Sequence, residues 1–264
     1  MVGQELNMNT LIRWRLHKSV PRFILIEGEE GSGRLTFAKK VVKMLKATGI
    51  IVGNGIDDVR NTIENAYNVQ STTVYIFRNA DDMSLNAKNS LLKVVEEPPN
   101  KSYFIMTLRS SENTLSTIKS RGTIIKMQPY TLKQLESFTS DSLILKYCNT
   151  PGKCINAEKP KILKAETIAN DVIDGLVNRS GTKILKACTE LKNKESEDSK
   201  IDCSLFLSVL EKLLCSQITS LYLYSSCLHY IEVCKRELTS KSINKKASIE
   251  CMLIRILEEI KNEK

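Results

Sequence analysis

Between residues 23 and 127 the chain alternates short runs of β-branched and aromatic residues with longer amphipathic stretches. The runs are FILIEG at 23–28, VYIFRNA at 74–80, SYFIMT at 102–107 and TIIKM at 123–127. They are almost continuously apolar, as strands buried on both faces must be, and the intervening segments are long enough to be helical crossovers. The pattern therefore predicts an α/β domain with a parallel sheet covered by helices. One of those helices begins near Ser84, shows Leu85, Leu91, Leu92 and Val95 on one face, and is stopped by Pro98-Pro99.

After Pro129 the strand signal fades. From 131 to about 192 the pattern gives short helices broken by the turn Asn149-Thr150-Pro151-Gly152, and the wholly polar run 193–200 is the best linker candidate. Segments 203–235 and 243–261 are strongly helical. In the last of them Ile249, Leu253, Ile256, Leu257 and Ile260 form a stripe that Cys251, Met252 and Ile254 widen, so burial against several neighbours or a partner subunit is expected. These shifts divide the 264 residues into an α/β domain at 1–129, a small helical domain at 130–195 and a C-terminal helical domain at 196–264.

Lysine and arginine outnumber acids, 39 to 30, for a net charge of +9, which favours a polyanionic partner without naming one. The eight cysteines include no CxxC pair and no histidine cluster joins them, so no metal site is expected; Cys215, Cys227 and Cys251 fall in apolar helical patterns where a thiol packs as a small hydrophobe. A reducing, cytoplasmic setting is expected, with no membrane span or apolar leader.

Chemistry is concentrated in GEEGSGRL at 28–35, which follows a strand and opens a helix as a phosphate-binding loop does. Gly28 and Gly33 frame it, with Gly31 between them. The lysine such a loop needs is replaced by Arg34, and the magnesium-holding hydroxyl by Leu35; Thr36 cannot substitute, because one residue turns a helical side chain by roughly 100°. The second half of the site is altered as well, since VYIF runs into Arg78 and Asn79 where an acid would hold the metal, and Asp81 and Asp82 come later. ATP hydrolysis, tight ATP binding and a bound divalent ion are therefore not expected.

With these residues in view, Gly28–Met127 resembles the clamp-loader subunits of bacterial DNA polymerase III, the delta-prime type most closely. The resemblance is carried by NADDMSLNAKNSLLKVVEEPP at 79–99, by YFIMTLRSSENTLSTIKSRG at 103–122 with its S-R-C-like segment Ser120-Arg121-Gly122, and by GIDDVRNTIENAY at 55–67. It implies an AAA+ P-loop NTPase-like domain, then a helical lid and a helical collar. It also implies a catalytically silent ring member in which Arg121 serves as an arginine finger for ATP bound by the adjacent subunit. The implied partners are gamma/tau-like and delta-like subunits, primer-template DNA and, indirectly, the sliding clamp, with Lys88, in the start of the helix at Ser84–Lys88, as a DNA-phosphate contact. The family's four-cysteine zinc module is missing here, since residues 41–73 hold no cysteine, so no zinc is expected. The alternatives are an active gamma/tau-type ATPase, against which Arg34 and Arg78 speak, and a stand-alone basic DNA-binding protein, for which no recognition helix or aromatic platform is present.

Overall fold

The structure, a computed structural model, describes residues 1–192, 200–217, 221–238 and 243–262, so the linker expected at 193–200 lies, Lys200 apart, outside the described residues. The chain forms two compact units: Met1–Ser140 with Cys148–Asn156, and Asp141–Tyr147 with Ala157–Lys264. Residues 130–140 and 148–156 thus pack with the sheet, while the helices before and after 195 gather in one unit.

The first unit is built on a parallel sheet of β1 (Phe23–Glu27), β2 (Thr48–Val52), β3 (Thr73–Phe77), β4 (Ser102–Leu108) and β5 (Thr123–Lys126), in the order β2-β3-β4-β1-β5. Four of these are the expected runs. β2 is an addition to the sequence reading: it is an edge strand in which only Val52 is buried, so neither a continuous apolar run nor alternation marks it. In β1 the period of two sends Phe23 and Leu25 to one face, Ile24 and Ile26 to the other.

Helices α1 (Glu5–His17) and α2 (Arg34–Leu45) cover the Ile24 and Ile26 face, where Leu11, Phe37, Ala38 and Val41 meet Ile76 and Ile105. Helices α3 (Ile56–Tyr67) and α4 (Leu85–Glu96) cover the other, where Val59, Leu91 and Val95 meet Leu25, Phe77 and Phe104. Each fully buried Val, Leu, Ile or Phe among them is worth about 1.5–3 kcal/mol in transfer from water. α4 starts as expected, because the Ser84 hydroxyl accepts the Ala87 N–H at 3.2 Å. Leu85 is a correction: it is 60% exposed, and the buried face runs through Ala87, Leu91, Val94 and Val95. The unit also holds α5 (Ser116–Lys119), α6 (Leu132–Leu135) and α8 (Pro151–Ile155).

In the second unit α9 (Lys159–Val177) packs against α7 (Ser142–Tyr147), α10 (Gly181–Cys188), α11 (Cys203–Gln217) and α13 (Lys245–Asn262), with α12 (Leu221–Glu237) against α11 and α13. The wide apolar surface of α13 is met by four neighbours, α9 to α12, with Ile249, Met252, Leu253, Ile256 and Leu257 buried. Cys227 packs inside as expected, but Cys215 and Cys251 are exposed. Burial raises the Cys188 thiol to about 12, which makes it a packing group rather than a nucleophile.

Candidate functional site at the loop end of the sheet

The loop after β1 turns on two glycines with positive φ, Gly31 at 77° and Gly33 at 92°, a region open to glycine at little cost. Gly33 caps α2, so the first N–H groups of that helix emerge into the loop without intrahelical partners. Because β3, β4 and β1 lie side by side, their carboxyl ends bring Asn79, Thr107 and the loop to one crevice. The crevice encloses about 360 Å³ between the apolar residues Met1, Leu35 and Ile155 and the polar Arg34, Arg78 and Asn79.

Arg34 does not reach out of the loop as a phosphate-seeking lysine would. It is only 7% exposed; its Nη2 donates to Asn79 Oδ1 at 3.3 Å, and its Nη1 is enclosed without a partner. Desolvation lowers its pKa, opposed by the charge of Asp81. Asn79 is itself held in the left-handed region at φ 48°, its N–H donating to Thr107 Oγ1 at 3.0 Å. Asp81 and Glu27 each have one carboxylate oxygen engaged in a hydrogen bond, while Asp81 Oδ1 is enclosed without a hydrogen-bond partner. Asp81 Oδ2 accepts the Arg109 N–H at 2.7 Å, and Glu27 Oε2 accepts the Ser111 hydroxyl at 2.7 Å. Arg78 is exposed, and its carbonyl accepts from Asn54 Nδ2 at 2.8 Å.

Further contacts fix the loop itself. The Thr150 hydroxyl donates to the Glu30 carbonyl at 2.8 Å, the Gly152 N–H to the Gly31 carbonyl at 2.9 Å, and the Tyr130 hydroxyl to the Ser32 carbonyl at 2.8 Å. Asn149 Nδ2 and Lys153 Nζ both reach Glu29 Oε2, at 2.8 and 3.2 Å. Sequence reasoning marked Asn149–Gly152 as a turn and missed this role. The available signal was Thr150 before Pro151, a helix cap whose placement local pattern cannot give.

Arg121 lies at the amino end of the strands, where β5 begins, and the fold does not bring it to the loop. Its Nη1 donates to the Thr117 carbonyl at 2.9 Å and its Nη2 pairs with Glu96 Oε1 at 3.1 Å, with 31% of the side chain exposed. Gly122, where the family motif has cysteine, is packed so closely that a Cβ would stand 2.7 Å from Leu25 Cγ. Lys88 requires a correction. The α4 N-terminus turns it inward, leaving it 7% exposed with Nζ 3.5 Å from the Asp81 carbonyl oxygen, so its ammonium is not displayed to a phosphate backbone. Among the described residues no group of three or more His, Cys, Asp or Glu side chains could hold a metal, and no helix is long and apolar enough to cross a membrane.

The five-stranded parallel sheet with a glycine loop opening α2 defines an α/β P-loop NTPase-like fold. Solved structures agree: a DNA polymerase III gamma subunit-related protein from Thermotoga maritima aligns with TM-score 0.53 at 17% identity, covering 96% of this chain and 99% of that one. The RuvB Holliday junction branch migration motor of the same organism aligns at 0.50 and 16% identity, covering 89% and 78%.

Sequence comparison carries this further. The family model for "DNA polymerase III, delta subunit" matches residues 45–131. The gamma/tau subunit of Mycoplasma genitalium is 29% identical over 209 residues, 66% of this chain and 34% of that protein. The delta-prime subunit of Bacillus subtilis is 38% identical over 63 residues, 24% of this chain and 19% of that one. The chain is thus similar to clamp-loader-type subunits of DNA polymerase III, and its matches span about a third or less of the length of these curated relatives.

Proposed function

We propose that this chain is a non-catalytic, delta-prime-like clamp-loader subunit that supports sliding-clamp loading by presenting Arg121 to ATP bound by a neighbouring gamma/tau-like ATPase. The observation that carries the reading is Arg34, buried and hydrogen-bonded to Asn79 where an ATPase would place a mobile lysine beside a metal-holding acid. A cation at that position opposes divalent binding, and Leu35 offers no ligand. The anchored loop carbonyls support a site held in one arrangement without nucleotide.

Arg121 has the opposite character. Its pair with Glu96, which is 57% exposed, is a surface contact of about 0–1 kcal/mol and is readily exchanged for a partner's phosphate. A guanidinium fork binds phosphate oxygens bidentately and offsets charge in the transferring phosphoryl group. Gamma/tau-like and delta-like subunits are the partners this reading calls for, with no zinc or tightly bound ATP in this chain.

Several relatives are named gamma/tau, which makes an active ATPase the second reading. Purified chain with Mg-ATP, with and without DNA, separates the two. The expected result is turnover at background; steady turnover that Arg34→Ala abolishes would refute the silent-subunit reading.

A further inference from the structure

The α1–α2 layer carries a feature that neither the loop nor Arg121 uses. Both helices pack apolar residues on the sheet, through Leu11, Trp14, Phe37 and Val41 among others, and their outward charges are nearly all cationic, beside the exposed Leu6, Ile12 and Leu16 of α1. On α2 Lys39, Lys43 and the C-cap Lys46 follow at spacings of four and three, forming one row about 10 Å long. On α1 Arg15 and the C-cap Lys18 stand three apart, and Arg13 projects from another side of the helix. All six are exposed, and none makes a side-chain hydrogen bond or ion pair among the described residues. The sole acid on either helix is Glu5, in the first turn of α1. Elsewhere lysines such as Lys146, Lys159, Lys183 and Lys235 find carboxylates.

The topology gathers these charges. α1 leads into β1 and α2 into β2, and the strands are parallel, so both helices end at the amino end of the strands and bring Arg15, Lys18, Lys43 and Lys46 to it. Cations at helix C-termini complement the macrodipole, which accounts for some of them. Lys39 and Arg13 sit before the last turn, and the dipole does not explain an unrelieved positive face. A membrane surface fits poorly, because the apolar sides of both helices are already buried and only Ile12 and Leu16 protrude from this end of α1. Trp14 is half-buried, which leaves no stacking platform for bases. We propose that the outward face of α1 and α2 is a binding surface for the phosphate backbone of nucleic acid, engaged without base readout. It stands apart from Lys88 and does not depend on whether the nucleotide loop is silent.

The test is fluorescence anisotropy of a labelled mixed-sequence duplex of about 25 base pairs with the full-length chain. If about four phosphates are neutralised, affinity should fall about 150-fold between 50 and 200 mM salt. Lys39→Glu/Lys43→Glu/Lys46→Glu should weaken binding at least about 10-fold at the low-salt end and flatten the salt slope by about 2.7. Arg13→Glu/Arg15→Glu/Lys18→Glu should act in the same direction. Lys133→Glu/Lys186→Glu/Arg255→Glu makes the same change in net charge on other exposed positions and should leave affinity within about twofold. Equal losses in the control and α2 variants, an unchanged salt slope, or binding only to anionic lipid vesicles would overturn the proposal.

Discussion

Arg34 follows the carboxyl end of β1 and Arg121 precedes the amino end of the neighbouring β5, so one sheet holds two arginines at opposite ends of its strands. Arg34 is enclosed, shares a hydrogen bond with Asn79 and leaves one terminal nitrogen without a partner. Arg121 is partly exposed and rests on a carbonyl and a carboxylate near the surface. The difference lies in desolvation. An arginine sealed inside a loop is part of the packing, whereas one resting on the surface keeps its charge available to another molecule. That physical contrast separates the residue proposed to be silent from the residue proposed to act.

The largest expected effect sharpens the fixed side of the contrast. A Cβ at Gly152 would stand 2.5 Å from Gly31 Cα, backbone against backbone, so Gly152→Ala should cost about 2–3 kcal/mol in urea unfolding. Gly181, in α10, has its nearest atom at 3.7 Å, and Gly181→Ala should stabilise by about 0.5–1 kcal/mol. Equal effects at the two glycines would break the account of a pinned loop. Next is Gly122→Cys, which restores the family's residue beside Arg121. The 2.7 Å approach to Leu25 should cost about 1–2 kcal/mol, and a neutral result would mean that β1 yields there.

A carboxylate in the helical unit calibrates what a better-held ion pair is worth. Glu166 accepts from Lys146 at 2.8 Å and from the Tyr147 hydroxyl at 2.6 Å, with 22% of its side chain exposed. The Lys146 bond, then the Tyr147 bond, holds its pKa below the ordinary 4.5. A depressed carboxylate contributes stability that is present above its unfolded value and lost as pH falls through the folded one. Glu166→Gln should therefore cost about 1 kcal/mol at neutral pH, with the gap closing in acid; a gap that widens there would contradict the assignment. The smallest effect belongs to the surface pair, where Glu96→Gln and Arg121→Ala should each change stability by less than about 0.5 kcal/mol.

Much of the first unit was legible because four strands are buried on both faces and read as apolar runs. β2 was not, since an edge strand with Ile50 and Ile51 exposed has no core to advertise. At the site, Arg34 and Leu35 could be recognised by register with a phosphate loop, and Arg78 and Asn79 by their place after the VYIF strand. What sequence could not supply was orientation: that Arg34 turns toward Asn79, that Lys88 turns inward, and that Thr150 and Gly152 close on the loop from more than a hundred residues away. Those contacts depend on tertiary placement, to which local pattern is blind.

The central claim, that this chain acts in a neighbour's ATP site and not in its own, is tested most directly by ATP turnover of a complex reconstituted with a gamma/tau-like partner and carrying either Arg34→Met or Arg121→Ala. The account predicts wild-type turnover for Arg34→Met and, with assembly intact, a fall of about a thousandfold or more in the finger-dependent turnover for Arg121→Ala. An Arg121→Ala complex that assembles and hydrolyses ATP at the wild-type rate, or an Arg34→Met complex that assembles but does not hydrolyse, would contradict it.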